Sequence, residues 1–199
     1  MNGRSVHTRW LMLALCFTTR VALGFQFQTL GSIAEPLARE MQFSFGEVGA
    51  LIGLFMVPGL ILSTPAGVAG RWASDRVLVA SGLFALALGG AVDAMAHGFG
   101  LFALGRLIAG AGFVLSTIFF TKMVADWFAG REIATAMAVL VMSWPFGIAM
   151  GQIVHGWLSA TEHWRLTFGL ASLYCLGCAG LVLIAYRPPP STAAPTAPT

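Results

Sequence analysis

Six long apolar stretches, separated by short polar turns, constrain the fold of this chain more than any other feature of its sequence. A helix rises about 1.5 Å per residue, so about 20 residues cross the roughly 30 Å hydrocarbon core of a bilayer. Each stretch is long enough to do so, which predicts an all-α membrane protein with six transmembrane helices. The six predicted spans cover about residues 10–33, 45–69, 76–96, 99–127, 131–158 and 164–186.

Composition excludes other classes of protein. Of the 199 residues, 57% are hydrophobic and 10% are charged, against about 25% charged in a typical soluble domain. The net charge of +3 comes from dispersed Lys and Arg residues, which does not predict a nucleic-acid-binding stripe. Cys175 and Cys178 form a C-x-x-C pair inside an apolar stretch, where packing is favoured over metal binding. No metal site, cofactor or paired catalytic groups are predicted, which argues against an enzyme.

The boundaries of two spans carry capping signals. Ser44 is predicted to cap span two, with Glu47 at the capping-box position, and Asp75 to cap span three. Residues 1–9 are predicted to be a cytoplasmic N-terminus. The Pro-, Ala- and Thr-rich residues 187–199 are predicted to be a disordered tail or the start of a linker.

Positive charge is distributed unevenly between the two ends of the spans. One end holds seven basic residues, and the other end holds only Arg39 and Arg165. Because Lys and Arg are enriched in cytoplasmic loops, both termini are predicted to lie in the cytoplasm, as an even number of spans requires. The seven are Arg4, Arg9, Arg71, Arg76, Lys122, Arg131 and Arg187.

Two sequence features recur at nearly the same offset. The pentapeptide RVALG begins at Arg20 and RLIAG begins at Arg106, 86 residues later, and Pro58 and Pro145 are 87 residues apart. Spans one to three therefore correspond to spans four to six. Because three is an odd number of crossings, the second copy is inverted in the membrane. The sequence predicts a 3+3 inverted-repeat bundle, an arrangement typical of secondary transporters.

Arg20 lies about ten residues into span one, at a depth of about 15 Å and so near the bilayer midplane. Span one contains no acidic residue to neutralise it. One interpretation is an anion site that includes Gln28, two turns further on; the alternative is a guanidinium satisfied by backbone carbonyls. Ser143 and Trp144 of span five are predicted at a similar depth, where they line a substrate cavity.

Two further pairs of residues, one charged and one of prolines, are either purely structural or part of the transport cycle. Asp93 and Arg106 flank the turn between spans three and four at similar depths, so they form an ion pair if the helices face suitably. That pair is either structural or switched during transport. Pro58 and Pro145 are each predicted to kink their helices, as static kinks or as gating hinges beside Gly59 and Gly147.

Several stretches resemble signatures of a known family. The loop PAGVAGRWASDR over residues 65–76 is similar to the Major Facilitator Superfamily loop signature G-x-x-x-D-R-x-G-R-K: Gly67 and Arg71 fit it, whereas Gly70 replaces the usual Asp. The stretch from Arg106 through Gly110 resembles the signature of span four. The chain thus resembles the N-terminal half of such a transporter over about residues 9–187. Two shorter stretches, DWF at 126–128 and SWPFG at 143–147, resemble the subfamily of cyanate and nitroimidazole transporters.

The resemblance implies alternating access, in which two six-helix halves rock around a central site that Arg20 faces. It implies that an inner gate is formed by Gly67, Arg71, Asp75 and Arg76, with Asp75 and Arg76 restoring the charge pair of the signature. The predicted signature and gating set also includes Arg106, Gly110, Pro145 and Gly147.

The expected function is a secondary active transporter for a small solute, anionic if Arg20 binds it, of which this chain is one half. The alternative is a non-transporting truncated product or assembly protein. The expected partners are membrane lipid, the solute and a second six-helix half, encoded by the same gene or carried by a second chain. The expected location is the cytoplasmic membrane of a bacterium.

Overall fold

The computed structural model describes residues 3–130, 132–159 and 164–189, with side chains from residue 7 onward. The described residues form α-helices joined by short turns, and they contain no β-strand. The helices are α1 (Gly3–Ser32), α2 (Ala34–Met41), α3 (Phe45–Leu54), α4 (Val57–Ala69), α5 (Asp75–Ala94), α6 (Phe99–Phe128), α7 (Ile133–Ser159) and α8 (Arg165–Ala185).

Six segments of the described chain are long and apolar enough to cross a membrane, and α3 and α4 together form the second of them. The first helix begins at Gly3, before the predicted start of span one at residue 10, and the part of it that is apolar enough to cross a membrane begins at His7. Arg131, where span five was predicted to begin, lies outside the described residues, as does the tail from residue 190. The prediction of an all-α bundle with six transmembrane helices is confirmed.

Span two is interrupted rather than kinked. Its first helix ends at Leu54, and the second begins at Val57 with Pro58 in its first turn. Pro58 has no N–H to donate to the carbonyl oxygen of Leu54, and the helical hydrogen bonding breaks at this point. The predicted loss of a backbone hydrogen bond at Pro58 agrees with this break, and a role as a gating hinge stays a prediction. By contrast, Pro145 lies within the unbroken helix α7.

The inverted repeat is visible in helix packing. A Cβ added to Gly24 of span one would lie 2.4 Å from the carbonyl oxygen of Trp144 in span five. The equivalent Gly110 of span four makes the equivalent approach to span two, where a Cβ would lie 2.1 Å from the carbonyl oxygen of Phe55. Glycine is required at both places, since any larger residue would hold the two backbones apart. The 3+3 arrangement thus produces the same close contact twice.

A short helix that the sequence analysis did not predict, α2, follows span one. Its Leu37 is fully buried, and Glu40 accepts hydrogen bonds from Trp164 Nε1 at 2.5 Å and from Arg165 Nη1 at 2.6 Å. These bonds hold the pKa of the Glu40 carboxyl below its usual value. Arg165 also donates to the carbonyl oxygen of Ala96. Helix α2 is therefore tied to the start of α8 and to the turn between α5 and α6.

The capping predictions had different outcomes. The capping box at Ser44 is confirmed: the Ser44 hydroxyl accepts from the backbone N–H of Glu47, whose carboxylate accepts from the backbone N–H of Ser44. The cap of α5, however, is Ser74, and Asp75 is the first residue of that helix. The Ser74 side chain makes no capping hydrogen bond.

We expect Ser44→Ala to lower the free energy of unfolding by about 1 kcal/mol, because it leaves an N–H group of α3 without a partner. Ser74→Ala is the matched control, since it removes a hydroxyl from an N-cap without removing a capping bond, and it should cost less than half as much. Thermal unfolding of both variants in detergent, followed by tryptophan fluorescence, checks this. Equal losses would contradict the capping assignment.

Candidate functional site

Arg20 lies in the middle of α1 with its guanidinium turned toward α7. Its Nη1 donates to the carbonyl oxygen of Leu140 at 3.0 Å and to the hydroxyl of Ser143 at 2.9 Å. Only 7% of Arg20 is exposed, and its buried Nε has no hydrogen-bond partner among the described residues. No ion pair of Arg20 occurs in the described part of the chain. A backbone carbonyl therefore accepts one hydrogen bond from the guanidinium. The positive charge of Arg20, however, has no acidic partner among the described residues.

Small residues bring α1 and α7 together along what we call the α1–α7 seam, which contains Arg20, Gly24, Gln28, Ser143, Gly147 and Gly151. A Cβ on Gly147 would lie 2.3 Å from the carbonyl oxygen of Val21, and one on Gly151 would lie 3.0 Å from Cβ of Gln28. The backbones touch because these positions lack side chains. The seam thus places the predicted residues Arg20, Gln28 and Ser143 along one line.

At the far end of the seam Gln28 is part of a polar group that the sequence analysis did not assemble. Its Nε2 donates to Oε1 of Gln152 and, at 3.3 Å, to the hydroxyl of Ser32. The Ser32 hydroxyl in turn donates to the same Gln152 oxygen at 3.3 Å. Gln152 had no predicted binding role. Its spacing of eight residues from Trp144, which puts both on one side of α7, is the signal that would have found it.

Trp144 belongs to an aromatic cluster formed with Phe27, Phe55 and Phe113, one ring from each of spans one, two, four and five. Ring centroids of Trp144 lie 5.3 Å from Phe27 and 4.9 Å from Phe113. Phe55 completes the cluster at 5.3 and 5.5 Å from the same two rings. Trp144, Phe27 and Phe113 are each only partly buried. The predicted Trp144 therefore stands at the meeting point of four spans and presents an apolar surface.

Asp93 and Arg106 lie together in the interior. Nε and Nη2 of Arg106 donate to Oδ2 of Asp93 at 2.8 and 2.5 Å, and Nη2 also donates to the Thr29 hydroxyl at 3.3 Å. Arg106 is 1% exposed and Asp93 is fully buried. The guanidinium carbon lies 5.8 Å from the ring centre of Phe55 and 5.5 Å from that of Phe168. The arrangement is a desolvated ion pair, and its switching during transport stays a prediction.

The residues of the predicted inner gate lie around the turn between α4 and α5: Gly67 is in the last turn of α4, Arg71 is in the connection, and Asp75 and Arg76 begin α5. Asp75 accepts from Lys122 Nζ at 2.6 Å, and Lys122 also binds Asp126 at 2.9 Å. The charge partner of Asp75 is therefore Lys122, and the role of Asp75 and Arg76 as the charge pair of the signature stays a prediction. The exposed side chains of Arg71 and Arg76 form no hydrogen bond or ion pair within the described residues. A Cβ at Gly67 would meet open space, so packing within this half does not require a glycine there.

Comparisons with known proteins place the chain in a family. A family model described as the Major Facilitator Superfamily matches residues 16–199. Over 190 residues the chain is 27% identical to the probable galactarate/D-glucarate transporter GarP of Escherichia coli (strain K12), covering 92% of this chain and 41% of that protein. Over 147 residues it is 26% identical to the probable L-galactonate transporter of the same strain, covering 72% of this chain and 32% of that protein.

Among solved structures, the crystal structure of a D-xylose-proton symporter matches with a TM-score of 0.63 at 16% identity, covering 89% of this chain and 48% of that one. This match shows the fold alone. The chain spans less than half the length of each of these three proteins. The particular likeness to cyanate and nitroimidazole transporters stays a prediction. The family and the names of the relatives indicate a transporter rather than an enzyme. Because the family model matches residues 16–199, most of the sequence, the chain belongs to the Major Facilitator Superfamily.

Proposed function

We propose that this chain is one half of a secondary active transporter that works by alternating access and carries a small carboxylate of the sugar-acid class. The observation that carries the proposal is Arg20, a desolvated guanidinium near the middle of a membrane span with no acidic partner among the described residues. A charge at that depth is costly unless it faces a cavity or a counter-charge. A solute carboxylate supplies the missing counter-charge.

The hydrogen bonds of Arg20 leave part of its guanidinium unused. The bonds to Leu140 and Ser143 hold Nη1 and so fix the plane of the guanidinium, while Nε keeps an unused donor. A planar carboxylate binds the fork of an arginine through two parallel hydrogen bonds. The relatives named for galactarate, D-glucarate and L-galactonate transport favour a hydroxylated carboxylate as the solute.

A second six-helix half completes the proposed transporter, either as a continuation of the same gene or as a second chain. Its support is that the chain matches 41% or less of the related transporters named above. Arg71 in the turn after α4 and Arg76 in the first turn of α5 have no partner in the described part of this half, so they are available to the second half as an inner gate. The excess of basic residues on the same side favours cytoplasmic termini in a bacterial cytoplasmic membrane.

Equilibrium binding of radiolabelled D-glucarate to the purified chain in lipid nanodiscs tests the anion site. We expect Arg20→Ala to weaken binding by about 10- to 100-fold, the loss that follows from about 1.5–3 kcal/mol for hydrogen bonds to a charged group. Arg20→Lys should retain part of the affinity, because it keeps the charge but loses the fork. Arg39→Ala is the control, since Arg39 is exposed and pairs with Glu35 on α2; it should stay within twofold.

Unchanged affinity in a folded Arg20→Ala variant would overturn the anion site. Uptake into proteoliposomes then separates transport from the alternative of a non-transporting assembly protein. The chain is reconstituted alone and with a second half expressed from any in-frame continuation of its gene. Binding without uptake in either preparation would contradict the proposed transport.

A further inference from the structure

We propose that span one carries a binding site for one anionic phospholipid with two acyl chains, at the end of the bundle that holds most of the basic residues. The two chains lie in two apolar clefts on either side of α1, and Arg187 binds the phosphate of the headgroup. This site is independent of the anion site proposed at Arg20, because it uses no residue of the α1–α7 seam.

Two clefts flank the first half of span one. One lies between α1 and α7, has a volume of about 300 Å³ and is walled by Trp10 and Val139. The other lies between α1 and α8, has a volume of about 330 Å³ and is walled by Leu11 and Leu181. Apart from Thr18, every side chain that lines them is apolar or aromatic. Their similar size and their lining suit two similar hydrocarbon chains.

Ala14 and Thr18 form a low saddle at which the two clefts meet. Both residues line both clefts, and they share one face of α1 because they are four residues apart. Both are exposed. The Thr18 hydroxyl donates to the carbonyl oxygen of Ala14 at 2.8 Å, so its hydrogen bond is made within α1 and needs no water. A molecule with two apolar chains can therefore straddle α1 here and fill both clefts at once.

Each cleft is closed at its deep end by a side chain that reaches α1. The Tyr174 hydroxyl of α8 donates to the carbonyl oxygen of Thr18 at 3.2 Å, and the ring of Phe146 in α7 lies 5.9 Å from that of Phe17. From Trp10 at the shallow end to Thr18, α1 rises about 12 Å. One leaflet contributes about 15 Å of the hydrocarbon core, and tryptophan is enriched at the headgroup level. The clefts therefore have the depth of a single leaflet, which suits the acyl chains of one lipid.

Arg187 supplies a free positive charge at the mouth of the α1–α8 cleft. Ala185 lines that cleft, and Arg187 follows two residues later, within about 7 Å along the chain. The backbone carbonyl of Arg187 accepts from Trp127 Nε1 at 3.1 Å, whereas its exposed guanidinium makes no hydrogen bond or ion pair within the described part of the chain. Arg9, by contrast, is already paired with Glu132. A lipid phosphate is the counter-charge that is present at this depth of a bilayer.

Native mass spectrometry of the full chain in detergent, titrated with three lipids, tests the site. Dioleoyl phosphatidylglycerol is anionic, dioleoyl phosphatidylcholine has the same chains but no net charge, and oleoyl lyso-phosphatidylglycerol is anionic with one chain. We expect the first to bind about fivefold more tightly than the second, the effect of one arginine near an anionic headgroup. It should bind at least tenfold more tightly than the third, which leaves one cleft unfilled. Equal affinity of the first lipid with either of the others would overturn the proposal.

Two charge variants show whether Arg187 recognises the headgroup. Arg187→Gln should lower the affinity for phosphatidylglycerol to within twofold of that for phosphatidylcholine. Arg76→Gln is the control for general electrostatic attraction, because it removes an exposed arginine from the same end of the bundle without touching either cleft. It should keep the fivefold preference. If both variants lose the preference, or neither does, Arg187 is not the headgroup ligand.

Two shape variants show whether the clefts hold the chains. Thr18→Phe fills the saddle and should weaken both two-chain lipids at least tenfold while leaving their ratio unchanged. Ser81→Phe is the matched control: Ser81 is exposed on α5, outside both clefts, and its hydroxyl likewise donates within its own helix, to the carbonyl oxygen of Leu78. Because both positions are exposed, neither substitution disturbs the core. Unchanged lipid affinity in Thr18→Phe, or an equal loss in Ser81→Phe, would show that the lipid does not bind in these clefts.

Discussion

Replacing Arg106 with leucine is expected to lower the free energy of unfolding by about 3–5 kcal/mol, the cost of removing one partner of a buried ion pair. Arg106 is the donor of both hydrogen bonds to Asp93 Oδ2, and the other oxygen of that carboxylate has no partner among the described residues. The substitution would leave a fully buried carboxylate with neither a counter-charge nor hydrogen bonds to that oxygen. Thermal unfolding in detergent, followed by tryptophan fluorescence, measures the effect.

Two comparisons show whether desolvation causes the loss. Lys122→Met also breaks ion pairs, with Asp75 and Asp126, but Lys122 is about half exposed, so it should cost less than about 1 kcal/mol. The double variant with Arg106→Leu and Asp93→Asn removes both charges and should be more stable than Arg106→Leu alone. If Arg106→Leu and Lys122→Met are equally stable, the buried pair makes no special contribution to the fold.

The spans were predictable because the bilayer fixes how long an apolar helix must be, whatever it packs against. The capping box was predictable because it is local: Ser44 and Glu47 are three residues apart, and each side chain bonds to the backbone N–H of the other. Helix α2 lacks both signals: it has eight residues, and its one buried side chain, Leu37, is covered by residues distant in sequence. Its local signals are Glu35 in the first turn, Arg39 in the last turn and the pair between them. A helix of eight residues is marginal without tertiary contacts such as those of Leu37.

The sequence predicted which residues belong to the candidate site, but not which residues they bond to. An arginine at mid-span is conspicuous in any sequence, whereas the choice of Ser143 and Leu140 as its acceptors depends on the register between α1 and α7. The same holds for Asp75, which binds Lys122, 47 residues away, rather than its neighbour Arg76. Gln152 is visible in the sequence as a polar residue of span five, but its hydrogen bond with Gln28 depends on the same register. Sequence periodicity gives the face of a helix, but it does not say which other helix that face meets.

Gly147→Ala is expected to destabilise the chain by about 3 kcal/mol, at the upper end of what overpacking usually costs. The added Cβ would lie 2.3 Å from the carbonyl oxygen of Val21, 3.0 Å from the backbone nitrogen of Phe25 and 3.1 Å from Cα of Gly24. All three are backbone atoms, so no side-chain rotation relieves the clash and the two helices must separate. The midpoint of thermal unfolding in detergent measures the loss.

Gly180→Ala in α8 is the matched control, because an added Cβ there meets nothing within 4 Å. It should leave stability unchanged or raise it by up to about 1 kcal/mol, since alanine has the higher helix propensity. Separating α1 from α7 also moves Ser143 away from Arg20, so Gly147→Ala should weaken D-glucarate binding while Gly180→Ala should not. If both alanine variants have the same stability and affinity as the unmodified chain, close contact at the α1–α7 seam is not what positions Arg20. A loss of both properties confined to Gly147→Ala would mean that the packing of two backbones builds the anion site.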